Sequence, residues 1–178
     1  MEKRNQLSFD EIHKKSLTIC EKFFQTDFYK NSDFIFTYVN YNSEFETSII
    51  IKKAFNDGKR VAVPVMSGNA HEMFFVEIKS FSELSKNKFG ILEPELDFEK
   101  VLLPNSKTII IIPALVFDKR GYRIGYGGGF YDKYLSENKE PKAIGLVFDF
   151  QIIDEKIVNE KFDIPVNLIL SENKKIYI

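Results

Sequence analysis

Residues 108–113 read Thr-Ile-Ile-Ile-Ile-Pro, four consecutive isoleucines closed by a proline. A strand with one face in water alternates apolar and polar residues, whereas an unbroken run of this kind needs cover on both faces. Such a strand belongs at the centre of a parallel sheet with helices above and below, and the neighbouring segments supply both. "DFIFTYV" (33–39) predicts a buried strand, "FETSIIIKKAFNDG" (45–58) an amphipathic helix closed by Gly58, and "RVAVPVM" (60–66) a second strand. Strand, helix and strand in so short a span make a βαβ unit, with parallel strands and a right-handed crossover. Ser43 and Glu46 have the spacing of a capping box ahead of that helix. Ser8 and Glu11 have the same spacing ahead of a first helix, in which Ile12, Ile19, Cys20, Phe23 and Phe24 recur on one face.

Further on, "EMFFVEI" (72–78) predicts a strand, Phe81–Ser85 a short helix, and Pro94 a loop. "FYDKYLSE" (130–137) predicts a helix, "KAIGLVF" (142–148) the next parallel strand, and "VNLILS" (166–171) and "KKIYI" (174–178) short terminal strands. The expected architecture is one α/β domain over residues 1–178. It is a three-layer α/β/α arrangement with a mostly parallel, mixed sheet and an antiparallel excursion at 72–95.

The 44% of hydrophobic residues suffices for one core, and 25 Lys plus Arg against 26 Asp plus Glu leave no basic footprint for nucleic acid or an anionic membrane. Cys20 is the single cysteine, so neither a disulfide framework nor a multi-cysteine zinc site is expected; it reads as a core residue in a reducing, cytoplasmic setting. The charged first residues lack an apolar signal core, and no run of ~18 apolar residues occurs, so neither secretion nor membrane spanning is expected. His13 and His71 are expected to be solvated.

Five of the nine glycines lie between Gly121 and Gly129, in "GYRIGYGGGFYDKYL" (121–135). Two of the four arginines, Arg120 and Arg123, flank Gly121. The stretch runs from the central strand into a helix, which is where ligands sit in open α/β sheets. Neither phosphate-loop pattern fits: Phe130 stands where the dinucleotide fingerprint needs glycine, and Gly58-Lys59 is followed by Arg60 rather than Ser or Thr. The fold is thus Rossmann-like without the dinucleotide fingerprint. Gly127, Gly128 and Gly129 still allow backbone amides to approach an anion beside a helix N-terminus. Asp132 would repel a polyphosphate there unless a divalent cation bridges the two. The other reading of the same residues is a flexible glycine turn, with Asp132 compensating the helix dipole.

"PALVFDKRGYRIGYGGGFYDKYL" resembles the signature of the 5-formyltetrahydrofolate cyclo-ligase family, also called 5,10-methenyltetrahydrofolate synthetases. "YVNYNSEFETSIIIKKAFNDGKRVAVPVM", "MFF", "GILEPE" and "AIGLVFDFQIIDEKIVNEKFDIPVNLIL" resemble the family's other blocks in order, so nearly the whole chain is covered. The resemblance implies an ATP- and Mg²⁺-dependent ligase that converts 5-formyltetrahydrofolate to 5,10-methenyltetrahydrofolate and releases ADP and phosphate. The formyl oxygen attacks the γ-phosphate, and N10 closes the ring as phosphate departs. Carried over by position, Arg123, Ile124, Gly125, Tyr126, Gly127, Gly128, Gly129, Phe130 and Tyr131 line the nucleotide, with Arg123 and Tyr131 as the catalytic pair and Arg120 as a further phosphate contact. Tyr126, Gly127, Gly128, Gly129 and Phe130 also face the folate, together with Val39 and Glu44. Asp132 and Asp163 hold magnesium.

The chain departs from the family in two ways. The family's basic pair, K-x-x-x-R, lies well before the Leu-Ser that opens the first helix; here Met1 stands six residues before Leu7, and Lys3 and Arg4 are the residues that stand in. Gly128 occupies a place where some members carry lysine. The resemblance implies no nucleic-acid or membrane partner and a monomer acting on ATP and 5-formyltetrahydrofolate. A catalytically silent folate- or nucleotide-binding protein of the same fold is the alternative.

Overall fold

The isoleucine run sits in the middle strand of a seven-stranded sheet, with cover on both faces. A computed structural model of the chain describes residues 2–67 and 72–178. Its helices are α1 (Glu2–Asn5), α2 (Phe9–Phe24), α3 (Asp27–Asn31), α4 (Ser48–Asn56) and α5 (Phe130–Glu137). The strands begin with β1 (Phe34–Phe36), β2 (Arg60–Ser67), β3 (Glu72–Ile78), β4 (Leu84–Lys86), β5 (Leu92–Pro94) and β6 (Thr108–Ile111). They continue with β7 (Val116–Asp118), β8 (Arg123–Ile124), β9 (Lys142–Leu146), β10 (Ile152–Ile153), β11 (Leu168–Leu170) and β12 (Lys175–Tyr177).

The large sheet has the order β12-β11-β9-β6-β1-β2-β3. β11, β9, β6, β1 and β2 are parallel, while β12 and β3 close the two edges antiparallel. Successive isoleucines of the central run face opposite layers. Ile109 and Ile111 pack with Ile12, Ile19 and Phe23 of α2, Tyr29 of α3 and Ile50, Ile51 and Ala54 of α4. Ile110 and Ile112 pack with Leu135 of α5, Phe75 of β3 and Phe117 of β7. Each isoleucine fully removed from water contributes roughly 1.5–3 kcal/mol, so the run ties both layers to one strand.

The order of strands creates the site. From β1 the chain crosses through α4 to β2 on one side, and from β6 it crosses through α5 to β9 on the other. Where adjacent strands send their connections in opposite directions, a crevice opens beyond their carboxyl ends. The segments entering it are residues 37–47 after β1 and residues 112–129 after β6. α5 is fixed at its rim by Tyr134, which meets the Phe75 ring edge-on with centroids 5.0 Å apart.

Two local expectations need correction. The Ser8–Glu11 capping box forms in full, but Ser43 and Glu46 make none, because α4 begins only at Ser48 with Thr47 before it. Thr47 Oγ1 donates to the Tyr38 carbonyl at 2.7 Å and accepts from the Asn40 amide at 3.0 Å. Glu46 Oε2 lies 2.7 Å from His13 Nδ1, so the acid expected to cap α4 holds α2 instead. The partners came from distant sequence and outcompeted the local pattern. The helix expected at Phe81–Ser85 is a single 3₁₀ turn, Phe81–Glu83, that passes directly into β4 and its antiparallel partner β5. Cys20 is buried, and burial pushes its thiol well above the usual range, as a core residue should be. His71 lies outside the described residues.

Candidate active site

β7 and β8 form a small antiparallel pair that launches the glycine segment, with β10 parallel to β7 on its other side. Asp118, at the end of β7, organises the turn. Its carboxylate accepts from the Arg120 and Tyr122 amides and from the Ile157 amide, and from Arg120 Nε and Nη2 at 3.0 and 2.7 Å. Burial pushes the Asp118 carboxyl up, but the Arg120 guanidinium and these amides outweigh it and hold the group below the usual carboxylate range. Arg120 also donates to the Ile157 carbonyl at 2.7 Å and to Asn159 Oδ1 at 3.4 Å. These bonds commit its fork to the turn.

Arg123, one strand further, is held differently. Its Nη1 donates to the Ile164 carbonyl at 2.8 Å, and Nη2 lies 2.8 Å from Asp132 Oδ1. That second contact is an ion pair by distance only: Nη2 is buried and no acceptor lies in line with its N–H groups. The Ile164 amide donates to the same Asp132 oxygen at 3.0 Å, so the backbone of one residue, through its N–H and its C=O, holds both charged side chains. Asp163, immediately before it, accepts from the Glu160 amide at 2.7 Å. A guanidinium with unpaired buried N–H groups costs free energy by itself and is repaid by an anion that arrives there.

The glycine loop lies beside this pair. Gly127 (φ +88°) and Gly129 (φ +63°) occupy the left-handed region, and a Cβ built at either meets no atom within 4 Å. The conformation, rather than crowding, selects glycine there, and the backbone is left bare to an approaching ligand. Gly129 stands before α5, and no side chain caps that helix N-terminus beside the loop. Among the described residues no three His, Cys, Asp or Glu side chains are grouped to hold a metal by themselves. The donor set still fits magnesium of one kind. A hard carboxylate oxygen beside an anion cradle, already in contact with a cation, suits an ion shared with substrate phosphates, because Mg²⁺ uses one or two carboxylates and phosphate oxygens.

The folate side of the expected site converges on the same loop. Asn42 takes φ +51°, which folds the chain back so that Glu44 Oε2 accepts from the Tyr41 amide at 3.0 Å. Glu44 Oε1 accepts from the Tyr126 hydroxyl at 2.7 Å, across 82 residues of sequence. Val39 is buried at the foot of this turn. Arg4 arrives from α1, 8% exposed, and its Nη2 donates to the Tyr126 oxygen at 2.9 Å while Nε donates to Ser43 Oγ at 3.3 Å. Burial pushes the hydroxyls of Tyr38, Tyr126 and Tyr131 upward, and the Glu44 carboxylate pushes in the same direction, so all three remain protonated donors. On the other side of Arg4 a cleft of about 550 Å³ is lined by Lys3, Leu115, Val116, Phe150 and Gln151.

Arg4, Tyr126 and Glu44 are thus joined by hydrogen bonds and Arg123 and Asp132 by an ion pair, Tyr131 feels both Arg123 and Glu44, and Lys3 lines the cleft beside Arg4. Three neighbours of these residues were not anticipated: Tyr38, which senses both Arg4 and Glu44; Gln151, which donates to the Ala114 and Leu115 carbonyls at 3.1 Å; and the Ile164 backbone. Tyr38 adjoins Val39 in the strand motif, a signal that was present; a backbone clasp leaves no side-chain signal at all.

The sequence model of the 5-formyltetrahydrofolate cyclo-ligase family matches residues 1–172. This chain belongs to that family. The 5-formyltetrahydrofolate cyclo-ligase of Escherichia coli (strain K12) is 33% identical over 77% of this chain and 76% of its own. The mouse cyclo-ligase is 32% identical over 94% of this chain and 87% of its own. Among solved structures, the 5,10-methenyltetrahydrofolate synthetase of Aquifex aeolicus superposes with a TM-score of 0.82 at 25% identity, covering 99% of this chain and 87% of that one. That of Mycoplasma pneumoniae shares the fold, with a TM-score of 0.74 at 21% identity over 97% and 93% of the two chains. Family and fold thus agree with the signature at 121–135. Among the described residues, no helix is long and apolar enough to cross a membrane.

Proposed function

We propose that this cyclo-ligase family member closes 5-formyltetrahydrofolate to 5,10-methenyltetrahydrofolate, driven by ATP and releasing ADP and phosphate, as a cytoplasmic monomer. The observation that carries the reading is a bare glycine loop tied to Glu44 through Tyr126 and running on into a helix whose Asp132 carboxylate stands beside the incompletely paired Arg123. The uncapped amides of α5 and Arg123 receive the phosphates, and Lys3 and Arg4 meet the nucleotide from the adjoining cleft. Asp132 and Asp163 hold Mg²⁺, which when bound neutralises the charge of the triphosphate. Glu44 accepts from the donor-rich edge of the pterin, with Val39 and Phe130 as apolar walls.

The formyl oxygen attacks the γ-phosphorus, the bond to the β–γ bridging oxygen breaks, and ADP leaves. N10 then attacks the activated carbon, the bond from that carbon to the phosphorylated oxygen breaks, and the phosphate departs with the N10 proton. No protein nucleophile is needed; the barrier is lowered by positioning and by donors aimed at developing charge. Arg123 and the protonated Tyr131 are such donors, and Tyr131 feels both Arg123 and Glu44. Arg120 is left to its turn.

Incubation with 5-formyltetrahydrofolate, ATP and Mg²⁺ should produce the methenyl chromophore, followed by absorbance. Folded protein that yields no product overturns the reading, and folate binding without ATP hydrolysis marks a silent binder instead.

A further inference from the structure

Arg4 raises a question of charge balance. It is nearly buried, yet both of its side-chain partners, Ser43 Oγ and the Tyr126 oxygen, are neutral. A cation removed from water needs an opposing charge close at hand. The carboxylate is there, one hydroxyl away: Arg4 Nη2 donates to Tyr126 Oη at 2.9 Å, and the same hydroxyl donates to Glu44 Oε1 at 2.7 Å. The phenol accepts from one side and donates to the other, so its polarisation by each partner strengthens its bond to the second. Cation and carboxylate form an ion pair through a phenol.

The same hydroxyl is the peg of the glycine loop. Tyr126 stands between Gly125 and Gly127, neither of which has an atom within 4 Å of where a Cβ would be, so the loop gains nothing from side-chain packing at these positions. Tyr126 is 58% exposed as a residue, which leaves its hydroxyl bonds rather than burial to hold it. Ser43 extends the chain of bonds by donating to Asn5 Oδ1 at 2.7 Å, tying the end of α1 to the turn that carries Glu44. Arg4 at the same time forms part of the wall of the 550 Å³ cleft.

We propose that Tyr126 is a positioning residue: through the Arg4–Tyr126–Glu44 relay its hydroxyl fixes the glycine loop and couples the nucleotide cleft to the folate carboxylate. The inference rests on the proposed function for the identity of the two ligands, but the relay itself exists without them. Side chain to side chain, a change at either end reaches the other through the phenol. Loss of the hydroxyl therefore weakens both substrates together, although Tyr126→Phe removes a single oxygen.

The test separates the relay from the activity. Unfolding constants are measured by denaturant titration of the ligand-free protein for Arg4→Gln, Glu44→Gln and the double variant, once with Tyr126 and once with Tyr126→Phe. With the hydroxyl present, the two substitutions should be non-additive on the order of fivefold in the unfolding constant; without it, they should combine as independent changes. Additivity in both backgrounds overturns the relay, as does non-additivity that survives Tyr126→Phe. In turnover assays Tyr126→Phe should raise KM for ATP and for folate together, about fivefold each, with most of the loss in kcat/KM falling on KM. A rise confined to one substrate overturns the coupling. If the wild-type protein turns nothing over but the cycle behaves as described, the functional reading falls and the relay stands.

Discussion

Arg120 and Arg123 stand on either side of Gly121 and look interchangeable in the sequence, yet the structure uses them in opposite ways. The Arg120 side chain is 38% exposed and four of its five N–H donors are engaged, with two nitrogens on Asp118 Oδ2 and further bonds to Ile157 and Asn159. Arg123 is 6% exposed and under-bonded, with one nitrogen on a carbonyl and the other beside Asp132 without alignment. A guanidinium that holds a fold together has its donors spent inside the protein. Arg123 keeps donors unspent even where burial makes that costly, as the ligand role proposed for it requires.

The sharpest way to break this contrast is at Asp132. Asp132→Asn keeps an oxygen for the Ile164 amide but removes the charge, so the fold should survive by circular dichroism. Mg²⁺-dependent turnover should fall by about a hundredfold or more. Near-wild-type activity would remove the metal role. Next comes the pair of arginines themselves. Arg123→Gln should lower kcat/KM by about a hundredfold, the range seen when one donor to developing charge is removed. Arg120→Gln should instead lower stability by about 1–2 kcal/mol in denaturant titration, a figure reduced from that of a fully buried pair because Arg120 is partly exposed. Its loss in kcat/KM should be far smaller than that of Arg123→Gln. Equal kinetic losses would erase the distinction.

The smallest effect is on pH dependence. Asp118 is held below its unfolded value of about 3.9, so its contribution to stability is full above that value and is lost as pH falls through the lower folded one. Unfolding measured from about pH 6 down to about pH 2 should therefore show a stability gap between wild type and Asp118→Asn that closes toward the acid end. A constant gap would mean that the charge of Asp118 is not what holds Arg120.

Legibility in the sequence followed the range of the interactions involved. β2, β3 and α5 begin within a residue of their expected starts, because apolar patterning and Gly58 act locally. The Ser8–Glu11 box formed for the same reason, within four residues. Ser43–Glu46, with identical spacing, did not. His13, Ser16 and Arg4 offered partners from other elements, and nothing in a four-residue window reveals them. The strand expected over 33–39 shortened to β1, since the chain beyond Phe36 leaves the sheet for the crevice. Within the site, Asp132, Arg123 and the glycines stood out because residues 121–135 concentrate them. Arg4 was expected only as a stand-in for the family's basic pair, and its bond to Tyr126, across 122 residues, was not legible.

The sequence by itself determined a parallel α/β sheet around an isoleucine strand covered on both faces, and a signature specific enough to name the family. Both are properties of contiguous residues. Only the tertiary structure decided which arginine spends its donors inside the fold, that Glu46 pairs with His13 rather than capping α4, and that a cation near the N-terminus is joined to Glu44 through a phenol on the glycine loop. Those assignments depend on what each side chain meets from the far side of the fold, where the order of strands β6 and β1 brings together segments that the chain keeps apart.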